Sequence, residues 1–101
     1  MPDEKTIGDI YEELALEYLD LAQNNLEILD QSLKNCKFYD AIITYGHISF
    51  QVEKAKKAAD NLEEIWGERG REYHKKARTI ETEATDKVII MTKFCECKKR
   101  D

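Results

Sequence analysis

Proline is almost missing from this chain: the one copy among 101 residues is Pro2, ahead of any helical pattern. No helix further on therefore loses a backbone N–H to a ring. Glycine is scarce as well, at four residues, so few places allow a sharp reversal. A basic excess is lacking: 16 Lys and Arg face 21 Asp and Glu, a formal net charge of −5. Proteins that live on phosphate contacts carry the opposite balance, which argues against nucleic acid as a partner. The single basic run, Lys98-Lys99-Arg100, stands where the end of a helix favours cations. No apolar stretch approaches the roughly 20 residues that cross a membrane. The segment Met1-Pro2-Asp3-Glu4-Lys5 has no apolar core of a signal peptide, and the expected location is cytoplasmic.

What the chain does hold is a long apolar seam. Ala41, Tyr45, Ile48, Val52, Ala55, Ala59, Leu62 and Trp66 are spaced alternately four and three apart, a seven-residue repeat sustained for more than three cycles. Only a helix packed lengthwise against other helices keeps such a seam turned inward. Two further stripes flank it. Tyr11, Ala15, Tyr18, Ala22, Leu26, Leu29 and Leu33 form the first, widened by Ile10, Leu14, Leu19 and Leu21. Tyr73, Ala77, Ile80, Ala84, Val88, Met91 and Cys95 form the last, with one extra step of four. Val88-Ile89-Ile90-Met91-Thr92 is rich in strand-favouring residues, yet the stripe through it fits a period of 3.6 better than 2.

Boundaries follow from local chemistry. Asp9 with Glu12 reads as a capping box, Asp40 as the cap of a second helix, and Gly67 with Gly70 as the reversal before a third. The expected architecture is all-α: three long antiparallel helices, about 9–35, 40–66 and 70–97, in an up-down-up bundle forming one domain over 1–101. Each helix spans about 40 Å at 1.5 Å per residue. A core this small is marginal, and self-association is a common way to enlarge it.

Several residues could carry a function. Ile43 and Phe50 fall opposite the seam, with Gly46 and His47 between them. They read either as an interface, where the glycine lets another helix approach, or as a broader core closed by the chain itself. An up-down-up path brings Cys36 to the same pole as Cys95 and Cys97. Free thiols, a disulfide and a thiolate metal site are the alternatives, and free thiols suit an intracellular chain. Glu13, Glu17 and Asp20 line one helix face, but a magnesium site needs a second acidic set opposite, and the second helix offers Glu53 among lysines. A di-iron bundle wants Glu-x-x-His, whereas Thr44 and Arg71 precede His47 and His74 by three. No metal or cofactor is expected.

Arg69-Gly70-Arg71-Glu72-Tyr73-His74 places an Arg and a His five apart at the start of the third helix. An Arg that holds phosphate and a His that moves protons could together cleave RNA. With the hairpin running from Leu33 through Phe38-Tyr39-Asp40-Ala41-Ile42, this resembles the HEPN helical domains. That resemblance implies a ribonuclease or nucleotide-binding site formed by Arg69 and His74, usually across a dimer. The hairpin Tyr39-Asp40-Ala41…Tyr45-Gly46-His47 is equally similar to small archaeal helical proteins of unassigned function. Without the resemblance, His74 reads as an exposed histidine at a helix start. The expected role is a small non-catalytic helical interaction or regulatory module, pairing with itself or with another helical protein, with the HEPN-like activity as the alternative.

Overall fold

The computed structural model describes residues 6–99, with side chains as far as Ile90. Three α-helices account for nearly all of it: α1 (Ile7–Lys34), α2 (Phe38–Trp66) and α3 (Glu68–Lys99). The all-α class is as expected, and each helix starts two residues earlier than its caps suggested.

The reasons are local. Thr6-x-x-Asp9 is itself a capping box, one turn ahead of the expected one. Thr6 Oγ1 accepts the Asp9 N–H at 3.1 Å and Asp9 Oδ2 accepts the Thr6 N–H at 3.2 Å. Asp9 is thus the third residue of α1 rather than its cap, and Glu12 is left free for a tertiary role. No side chain caps α2, which begins after Lys37. Asp40 sits inside its first turn, where a carboxylate complements the helix dipole. Val88-Ile89-Ile90 continues α3 as helix.

Two short joints reverse the chain. Between α1 and α2 the positive φ falls on Cys36, at 53°. Between α2 and α3 one residue suffices, Gly67 at φ 56° and ψ −109°. Gly70 is no part of that reversal. It is buried in the first turn of α3, where a Cβ would lie 2.7 Å from the Ala59 carbonyl oxygen and closer still to the Glu63 backbone. Its missing side chain lets α2 and α3 touch backbone to backbone.

Side-chain bonds give the directions. Asn25 Nδ2 donates to Gln51 Oε1 at 2.9 Å and Gly8 lies beneath the Trp66 ring, so α1 and α2 run antiparallel. Tyr45 meets Thr85 at 3.0 Å and Lys56 meets Glu81 at 2.6 Å, so α2 and α3 do too. Tyr73 donates to Glu12 at 2.7 Å and Lys87 to Asp30 at 3.0 Å, which aligns α1 with α3.

The core follows the three stripes. Alanines at 15, 22, 41, 55, 59, 77 and 84 alternate with Leu19, Leu26, Leu29, Ile48, Val52, Leu62 and Ile80, all buried. Fully burying one of the larger side chains, such as Leu29 or Leu62, stabilises the fold by about 1.5–3 kcal/mol. The alanines bring helix axes close together. α2 packs along its length on both neighbours, whereas α1 and α3 meet sparingly. Between them Leu16, Leu19 and Ile80 line a groove of about 320 Å³. The body is accordingly long and somewhat flat, 65 × 22 × 14 Å.

Candidate interaction face

One flank of the α1–α2 pair is apolar and open to water. Its geometry follows from the Asn25–Gln51 bond, taking about 100° per residue around a helix. On α1 the residues that reach α3, Glu12 and Asp30, lie about 140° from Asn25 in one sense. Leu14, Leu21 and Ile28 lie about 20–60° from it in the other sense, Ile7 lies about in line with it, and all four are exposed. On α2 the residues that reach α3, Tyr45 and Lys56, lie about 120–140° from Gln51. Ile43, His47, Phe50, Lys54 and Ile65 lie on the opposite side of Gln51, about 40–100° away, and all are exposed. Both sets therefore share the surface that faces away from α3.

Ile43, Gly46, His47 and Phe50 thus stand in water within this chain, Ile43 at 54% and Phe50 at 59% exposure. The broader-core reading of these residues does not hold, because no element of the described chain passes over them. Gly46 has nothing within 4 Å of where a Cβ would be. Phe38, Tyr39 and Ile42 extend the exposed apolar surface around the start of α2. From Ala41 to Val52 there is no Asp, Glu, Lys or Arg, in a chain where 37% of residues are charged. Charged and polar residues ordinarily cover the solvent face of a surface helix. Over these roughly three turns that face carries no charge.

Sequence reasoning missed the α1 half of this face. Ile7, Leu14, Leu21 and Ile28 recur every seven residues, one position before the core set Gly8, Ala15, Ala22 and Leu29. The two series run side by side, and Leu14 and Leu21 read as flanks of a single wide stripe. The signal that separates them is the unbroken period of seven in each.

The charged surroundings are uneven. α1 carries Asp9, Glu12, Glu13, Glu17, Asp20, Glu27 and Asp30 with one basic residue, Lys34 in its last turn. On the α2 flank that borders it, Lys54 sits midway, its ammonium 5.3 Å from the centroid of the Phe50 ring. Asp30 is engaged elsewhere: the hydrogen bond from Lys87, more than any other cause, holds its carboxyl below the usual range.

The other candidate residues are dispersed. Arg69 turns toward α1, with Nε 3.1 Å from Glu12 Oε2 and its guanidinium 4.7 Å from the Trp66 ring centroid. His74 turns toward α2, with Nε2 3.5 Å from Asp60 Oδ1. Five residues apart, the two side chains leave α3 about 140° from one another, so one chain does not bring them to one site. Tyr73, also against Glu12, resists ionisation, chiefly through desolvation and then through its bond to that carboxylate. This cluster ties α1 to the α2–α3 joint. The surface around His74 mixes Arg71, Lys75 and Arg78 with Asp60, Glu63, Glu68 and Glu72 and builds no single-sign pocket. Cys36 is half-buried against the core, while the side chains of Cys95 and Cys97 lie outside the described residues. Among the described residues no three His, Cys, Asp or Glu gather as a metal site, and no helix is long and apolar enough to cross a membrane.

No family model matches this chain, and comparison with curated proteins and with solved structures returns no significant match either.

Proposed function

We propose that this protein is a small non-catalytic interaction module that works by self-association through the α1–α2 flank. The observation that carries the reading is the amount of apolar surface exposed there. Ile7, Ile10, Leu14, Leu21 and Ile28 of α1 and Ile43, Phe50 and Ile65 of α2 are all exposed. At roughly 100 Å² each, half the surface of a large apolar side chain, they offer about 800 Å². That is close to what one partner gives to a standard interface, at about 800 Å² a side.

Sedimentation of the wild type and of Phe50→Glu tests the reading. The wild type is expected to sediment as an oligomer and the variant, which places a charge amid the apolar flank, as a monomer with unchanged helix content. Monomers in both cases would dispose of self-association.

A further inference from the structure

We infer that the partner is a second copy of this chain, related by a two-fold axis that runs along the helices, so that α1 of each copy covers α2 of the other. This rests on self-association through the α1–α2 flank and adds its geometry. Two closed arrangements let one flat helical pair cover its own copy. With the axis lengthwise, α1 crosses to lie over the partner's α2 and every residue keeps its level along the bundle. With the axis crosswise, α1 lies over the partner's α1 with levels reversed about the midpoint of the face.

Charge separates the two. The apolar series on α1 runs from Ile7 to Ile28, so its midpoint falls between Glu17 and Tyr18. A crosswise axis therefore brings Glu17 beside its own image, on a helix that carries six more carboxylates and one lysine. Like charges brought together at the centre of an apolar contact oppose association. A lengthwise axis sets Glu17 over the partner's α2 at the level of Ala58, about one turn from Lys54. Among the described residues neither Glu17 nor Lys54 has an ion-pair partner in its own chain. Adjacent helices of the four-helix core are antiparallel in either arrangement, so the helix dipoles favour both and the separation rests on the side-chain charges.

Register makes the pairing specific. The Asn25–Gln51 bond and the Gly8–Trp66 contact put Ile28 level with His47, between Ile43 and Phe50 on the neighbouring turns, and Ile10 level with Ile65. Rotation about a lengthwise axis keeps those levels, so Ile28 and Ile10, towards the two ends of the α1 series, meet apolar sites on the partner's α2, while Leu21 and Leu14 fall level with Lys54 and Asn61.

Cross-linking of the full chain, with Cys36, Cys95 and Cys97 changed to Ser, tests the geometry. A mixture of Ile28→Cys and His47→Cys molecules is expected to form a disulfide-linked heterodimer. A mixture of Leu14→Cys and Leu21→Cys, residues that the crosswise axis would superpose, is expected to stay unlinked. Charge exchange supplies a second reading: Glu17→Lys and Lys54→Glu each weaken association several-fold, and the double variant recovers it. Linkage through Leu14 and Leu21, or a double variant no better than the singles, overturns the lengthwise axis while an oligomer in sedimentation keeps self-association standing. A cysteine-free chain that is monomeric removes both.

Discussion

Three glycines in one short chain are expected to respond to the same substitution with different signs, and the tertiary contact of each decides which. Ala is the better helix former by about 0.8–1 kcal/mol in a helix interior. At Gly46 a Cβ meets nothing within 4 Å, so Gly46→Ala keeps that gain. At Gly70 the added Cβ falls on the backbone of Glu63 and 2.7 Å from the Ala59 carbonyl oxygen. Overpacking costs about 1–3 kcal/mol when side chains can yield. Here the obstacle is main chain, so α2 and α3 must separate and the upper end of that range applies. After the helix-forming gain, Gly70→Ala loses roughly 2 kcal/mol. Gly67 has open space, but its φ of 56° with ψ of −109° suits glycine alone. Strain there costs about 1–3 kcal/mol.

Thermal unfolding followed by far-ultraviolet circular dichroism reads the series, at a concentration where all variants sediment as the same species. For a domain of this size 1 kcal/mol moves Tm by about 4–8 °C. Gly46→Ala is expected to rise by several degrees, Gly67→Ala to fall by about 4–24 °C and Gly70→Ala by about 8–16 °C. If Gly70→Ala unfolds no lower than Gly46→Ala, the backbone contact between α2 and α3 is refuted. The position of the first turn of α3 against Ala59 and Glu63 would fall with it.

Other predictions concern single contacts. Tyr73 holds its proton more tightly folded than unfolded, so its contribution to stability is complete below about pH 10 and is lost as pH rises through the folded value. Tyr73→Phe should flatten the alkaline limb of a stability–pH curve, and a tyrosinate absorbance titration of the wild type should show one phenol ionising late. Asp30 has the opposite sign: its lowered value adds stability above the ordinary carboxylate range, lost as pH falls below about 4. The group is exposed, so Asp30→Asn should remove only a few tenths of a kcal/mol at neutral pH, read by urea unfolding. Leu62→Ala opens a cavity in a fully buried site and should cost about 2–5 kcal/mol by the same measurement. Thr6→Ala removes the capping box of α1 and should cost about 1 kcal/mol, seen as faster amide exchange confined to the first turn.

Much of the fold was legible because helical periodicity is a property of the chain alone. Ala41, Ile48, Val52, Ala55, Ala59 and Leu62 read as one seam and are buried as one. Helix ends were legible only to within two residues. Thr6-Asp9 and Asp9-Glu12 obey the same capping pattern, and the choice between them fell to Glu12, which α3 recruits through Tyr73 and Arg69. Gly67 and Gly70 are alike on the page, yet one turns the chain and the other lets two backbones meet, a difference made by residues 59 and 63.

The candidate face divides in the same way. Ile43 and Phe50 stood out because they break the pattern of their own helix. Ile7, Leu14, Leu21 and Ile28 did not, because they run beside a buried series of equal period, and a helix cannot say how wide a stripe its neighbours will cover. By itself the sequence determined that there are three long helices and which residues of each turn inward, since the spacing of apolar side chains is set by the 3.6-residue turn. Only the tertiary structure decided which apolar residues remain in water and which lone glycine is a joint. Those outcomes depend on where the other two helices come to lie, and that is a matter of distance through space rather than along the chain.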